Sequence, residues 1–131
     1  MKTVTTTSER LIPQQDSAKS PAREHSRLCA RVALENKAHD VLILDMRAIT
    51  PLFDYFVLAT GASRRQIHTL AEEIDAAMRA ESETRHGLEG YEPGRWVVLD
   101  YGDVVVHLFD PETRAYYVLE DLWADAPRVE F

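Results

Sequence analysis

Cysteine is nearly absent. Cys29 stands alone among 131 residues, which excludes an internal disulfide framework and any multi-cysteine zinc site. No apolar run approaches the roughly 20 residues that a membrane-spanning helix requires. No basic segment followed by an apolar one marks a secretory signal. Basic charge is scarce: 15 Lys and Arg face 22 Asp and Glu, a net charge of −7. Such a balance argues against gripping nucleic acid through its phosphates, which needs clustered Lys and Arg, and no direct sequence-specific nucleic-acid contact is expected. The five histidines are scattered at positions 25, 39, 68, 86 and 107 without an HExxH motif, so no metal site or cofactor is expected. Neither a GxxxxGK[ST] loop nor a GxGxxG fingerprint occurs. These absences point to one soluble, cytoplasmic domain with no membrane association.

What is present suits a packed core. Hydrophobic residues make up 45% of the chain, and a domain of this size buries roughly two-thirds of its unfolded surface. The charge is uneven. Residues 1–65 hold 10 basic and 7 acidic groups, whereas residues 66–131 hold 5 and 15. An acidic half suits a basic protein partner or simple solubility. Residues 1–19, rich in Thr and Ser, read as a disordered polar tail. Residues 20–127 read as the domain, and 128–131 as a short C-terminal tail.

Ser20-Pro21 supplies a cap and a first-turn proline for a helix to about Lys37, with Cys29 as core filler on its apolar stripe. Val41–Leu44 and Tyr55–Ala59 read as strands. Ser63 and Gln66 form a capping box before the stripe of Ile67, Leu70, Ala71, Ile74, Ala77 and Met78. Trp96–Asp100 and Val104–Phe109 flank Tyr101-Gly102 and read as a hairpin. Asp110-Pro111 opens a last helix to about Leu122. The order is α-β-β-α-β-β-α, a mixed sheet packed with helices, and the central strand–helix–strand unit predicts a parallel crossover.

With Tyr101-Gly102 as the turn, Asp100 faces Asp103, Val98 faces Val105 and Trp96 faces His107. All six then share one sheet face, while Val97, Leu99, Val104, Val106 and Leu108 make the core face. Facing aspartates repel by roughly 0.2–1 kcal/mol, which a basic partner would offset. Asp is also favoured in turns for local hydrogen bonding, and a sheet histidine is ordinarily a satisfied one.

Enzyme signatures are incomplete. Arg65 replaces the second glycine of a G-x-S-x-G elbow at Gly61-Ala62-Ser63, and Ser63 is already explained as a cap. The same turn, with Arg64 and Arg65 beside a helix N-terminus, suits a phosphate. The alternative reading is therefore a nucleotide-binding or nucleotidyltransferase-like enzyme using the Gly61–Ser63 turn. Its magnesium carboxylates would have to be Asp100 and Asp103, which lie across a turn rather than on one strand.

Further residues carry a specific likeness. Asp54-Tyr55-Phe56-Val57 leads into Ala59-Thr60-Gly61-Ala62-Ser63-Arg64-Arg65-Gln66, followed by Glu89-Gly90. Trp96–His107 then carries a W-x-x-x-D-x-G-D-x-x-x-H run. Tyr117-Val118-Leu119-Glu120 and Leu122-Trp123 close the series. In these blocks, over about residues 22–127, the chain resembles the ribosomal silencing factor family, also called Iojap-related. The resemblance implies a nucleotidyltransferase-like core without catalytic residues, and no enzyme activity. It implies a translation repressor that binds the large ribosomal subunit through its protein number fourteen. There it would block joining of the small subunit and silence ribosomes under nutrient limitation. The expected contact is the face of Trp96, Asp100, Asp103 and His107, with Glu89 and Glu120 at its rim. Tyr117, Leu119 and Trp123 are expected to pack the last helix. Monomer and homodimer are both left open.

Overall fold

In a computed structural model of the chain, residues 21–131 are described, and the expected tail at 1–19 lies outside them. Helix α1 (Pro21–Glu35) buries only small side chains, Ala22, Ser26, Cys29, Ala30 and Ala33. That smooth face lets it lie close against its neighbours. Helix α2 (Arg64–Ala80) buries the stripe of Ile67, Leu70, Ala71, Ile74 and Met78. Its cap forms as the sequence predicts: the Gln66 N–H donates to Ser63 Oγ at 3.1 Å, and Gln66 Oε1 accepts from the Ala62 N–H. The Gln66 side-chain amide also donates to the Asn36 and Lys37 carbonyls, and His25 approaches Glu83 at the far end. The two helices therefore run antiparallel.

The strands are β1 (His39–Asp45), β2 (Tyr55–Thr60), β3 (Gly87–Glu89), β4 (Trp96–Asp100), β5 (Val104–Phe109) and β6 (Arg128–Val129). They form one six-stranded sheet in the order β3-β4-β5-β2-β1-β6. Among the described residues only β2–β5 is parallel; the other four pairings are antiparallel. This corrects the crossover expected from β2 into the next strand after α2. The parallel neighbour is the returning arm of the hairpin, and β4 runs the other way.

Three more expectations are corrected. β3 lies inside a stretch expected as loop, because three residues are too few to show a period. Residues 128–131, expected as a tail, contribute β6, which covers the edge of β1 and buries Val129. The last helix, expected unbroken, is split into α3 (Pro111–Tyr117) and α4 (Leu119–Leu122) by Val118.

Side chains alternate across the sheet. Val57, Val97, Leu99, Val106 and Leu108 point to α1 and α2 and are fully buried. Leu44, Phe56, Leu58, Val105 and Phe109 point the other way, where Leu119 and Ala126 complete a smaller cluster. Two long helices thus close one face. Among the described residues, the other face has only the short α3 and α4 and the chain after them. It stays half-open over β3 and β4, while Val105, His107 and Phe109 of β5 are buried.

Candidate functional site

The half-open face is set by the hairpin register. The turn is Gly102-Asp103, one residue later than the sequence predicts, with the Tyr101 N–H donating to the Val104 carbonyl at 2.9 Å. Gly102 takes a φ of +89°, the first-position glycine that tight hairpin turns favour. Moving the turn by one residue shifts the pairing by two. Trp96 therefore faces Phe109, Val98 faces His107 and Asp100 faces Val105. A shift of two keeps every side chain on its expected face. The expected Asp100–Asp103 confrontation does not occur.

The cause lies in Tyr101. Its side chain is buried on the helix side, and its hydroxyl donates to Asp75 Oδ1 of α2 at 2.6 Å. A residue anchored in the core cannot serve as a turn tip.

Trp96 is half-buried on β4. Its indole Nε1–H donates to His107 Nδ1 at 3.1 Å, and the Phe109 and Tyr117 rings lie 5.3 and 4.9 Å away. His107 lies beneath this surface, only 7% exposed, with Phe56 edge-on at 4.8 Å. Accepting from Trp96 at Nδ1 puts the neutral ring's proton on Nε2, which has no hydrogen-bond partner. Burial pushes its pKa down to about 4, so the ring is neutral at pH 7. His107 positions Trp96 rather than presenting itself.

The acidic residues take different places. Asp100 turns its carboxylate to the Gly102 N–H at 2.8 Å, closing the turn. Asp103 is exposed, and its carbonyl accepts the Asp54 and Tyr55 N–H groups, tying the hairpin tip to β2. Burial, and then the Asp103 carboxylate, raise the Asp54 pKa. Glu89 is exposed on β3 directly across from Val98, hence on the same face. Gly90 after it, at φ +72°, has no room for a Cβ, which would stand 2.2 Å from the Trp96 carbonyl oxygen. Glu120 departs from expectation. Its carboxylate meets Arg114 Nε at 3.2 Å, inside the fold rather than on a free rim.

Sequence reading missed part of this surface. Tyr117, expected as packing, is half-exposed beside Trp96, and Tyr116, Leu122 and Leu52 are exposed. Two adjacent helical tyrosines cannot both point inward, so the Tyr116-Tyr117 pair was the available signal. Trp123 does pack as expected, edge-on to Phe56 at 5.0 Å.

The Gly61–Ser63 turn is occupied by the protein's own groups. Ser63 and Gln66 cap α2, the Gly61 N–H donates to the Phe109 carbonyl, and Arg64 donates to the Glu92 carbonyl. Among the described residues, no group of three or more His, Cys, Asp or Glu could hold a metal ion. None of their helices is long and apolar enough to cross a membrane.

Residues 19–131 match the family model described as "Ribosomal silencing factor during starvation". A ribosomal silencing factor of Halalkalibacterium halodurans is 41% identical over 108 residues, covering 82% of this chain and 92% of that protein. One of Bacillus subtilis is 40% identical over 101 residues, covering 77% and 86%. A crystal structure of a Chromobacterium violaceum protein superposes with a TM-score of 0.76 at 36% identity, covering 84% of this chain and 91% of that one. The expected mixed sheet packed with helices and the resemblance in the Trp96–His107 run agree with these matches: the chain belongs to the ribosomal silencing factor family.

Proposed function

We propose that this protein is a translation repressor that binds the large ribosomal subunit through its protein number fourteen and sterically blocks joining of the small subunit. One observation carries the reading. Among the described residues, the sheet face opposite α1 and α2 is left half-open over β3 and β4, with Trp96, Val98 and Tyr117 on it and Glu89 across from Val98. Asp103 and Asp54 meet at the hairpin tip. An aromatic anchor with a carboxylate on the neighbouring strand fits a basic protein, whose Lys or Arg would meet Glu89. A further cation at the hairpin tip would relieve the repulsion of Asp103 with Asp54. Trp96 is held ready by His107, so little side-chain freedom is lost on docking. The mechanism needs no chemical step. Occupying the joining surface is enough, and silencing under nutrient limitation then follows from abundance and affinity.

The test is co-sedimentation with purified large subunits. Trp96→Ala combined with Glu89→Lys and Asp103→Lys should abolish it while the circular dichroism spectrum stays native. Wild-type protein should also slow reassociation of separated subunits. A folded triple variant that sediments like wild type would move the interface elsewhere. The enzyme alternative predicts saturable nucleotide binding with magnesium. Since the Gly61 and Ala62 N–H groups already donate to the Phe109 carbonyl and to Gln66 Oε1, a titration is expected to show none.

A further inference from the structure

The break between α3 and α4 is where the backbone is least at ease. Among the described residues, four non-glycines have positive φ: Lys37, Asp40, Ser82 and Val118. The first three are polar. Val118, at φ 41° and ψ 57°, is β-branched, and such a side chain strongly disfavours the left-handed region. Helical bonding reaches it from both sides. Its N–H donates to the Arg114 carbonyl, and its own carbonyl accepts from the Asp121 N–H. Returning this one residue to right-handed geometry would join α3 and α4 into the single helix the sequence pattern favours.

One interaction holds the elbow bent. Arg114, buried, meets Glu120 through Nε, and its other nitrogens donate to Thr60 Oγ1 and the Asp40 carbonyl. Residues six apart on a continuous helix point about 120° away from each other and lie roughly 9 Å apart along the axis. The Arg114–Glu120 pair therefore exists only in the bent form. The bend also places Leu119 against the cluster of Phe56 and Leu58, and Trp123 against Phe56. Phe56 and Leu58 lie on the same face as Trp96 and Val98, two strands further in.

We propose that the α3–α4 elbow is a two-state cover over the docking face, latched shut by Arg114–Glu120 and loaded by the left-handed Val118. Releasing the latch lets the helix straighten, lifts Leu119 and Trp123 off Phe56, and extends the apolar floor inward from Trp96. The inference rests on the docking reading of that face for its consequence, though not for the motion itself.

Two variants test it in opposite directions. Glu120→Ala removes the latch; Val118→Asn keeps a side chain but tolerates the left-handed region. Hydrogen exchange at residues 119–123 should quicken at least tenfold in Glu120→Ala and slow in Val118→Asn, with helical ellipticity retained in both. In a Trp96→Phe background, Trp123 emission should shift to the red in Glu120→Ala. With Trp96 intact, Glu120→Ala should bind large subunits at least threefold more tightly. Unchanged exchange and emission in Glu120→Ala, or faster exchange in Val118→Asn, would overturn the cover. An opened elbow with unchanged or weaker binding would overturn its role in docking. If wild-type protein fails to bind large subunits at all, the docking reading falls, while exchange and emission still decide the motion.

Discussion

Lowering the pH should unsettle the fold through His107 before the carboxylates titrate. The ring is packed among Trp96, Phe56 and Phe109, all uncharged, and burial lowers its pKa from 6.5 to about 4. In the unfolded chain it takes up a proton near 6.5; in the folded protein it does not until about 4. The stability owed to the neutral ring is complete above pH 6.5 and is lost as pH falls towards 4. Integrating between the two values gives a loss of about 1 kcal/mol at pH 6, about 2 at pH 5 and about 3 at pH 4. Protonation also turns Nδ1 into a donor facing the Trp96 Nε1–H, so Trp96 loses its support at the same time.

The assay is urea unfolding of wild type and His107→Gln at each pH. The glutamine oxygen can still accept from Trp96 but does not titrate. The difference between the two proteins isolates His107 from the other histidines and the carboxylates. Parallel stability curves from pH 7 to 4 would refute the burial argument, whatever the offset between them.

Tyr101→Phe removes the buried bond to Asp75, whose carboxylate keeps only Arg79 and Arg85. Bonds to charged groups are worth about 1.5–3 kcal/mol, so the urea midpoint should fall accordingly, and a loss below about 0.5 would place the anchor of the hairpin elsewhere. Cys29 is wholly buried and its thiol is pushed up to about 12, so a thiol reagent at pH 8 should label it only as fast as the protein opens. Rapid labelling of the native protein would contradict the packing of α1.

The parts written in local chemistry were legible. The α2 stripe and its Ser63–Gln66 cap depend on residues within a turn of one another, and the two hairpin faces depend only on alternation. The register was not legible, because it is chosen by Tyr101 reaching Asp75 on another element. The split at Val118 was hidden for the same reason: the pattern of 111–122 is helical, and the bend is held by Arg114 gripping Glu120, Thr60 and Asp40 together. That grip also reassigns Glu120, while Trp96 and Glu89 stand on the expected face. Asp54 was overlooked because its proximity to Asp103 arises from two strand ends meeting.

The parallel pairing of β2 with β5 has a consequence for how the chain is made. α2, β3 and β4 all intervene in sequence, so β2 emerges during synthesis long before the strand that completes its far edge. Until Val104–Phe109 has been translated, β2 can pair only with β1, and Val57, Leu58 and Ala59 lack their final neighbours. Cooperative closure must therefore wait until Val104–Phe109 has cleared the exit tunnel. The proposed docking face, which needs Trp96 paired with Phe109, likewise cannot form before Val104–Phe109 has left the tunnel.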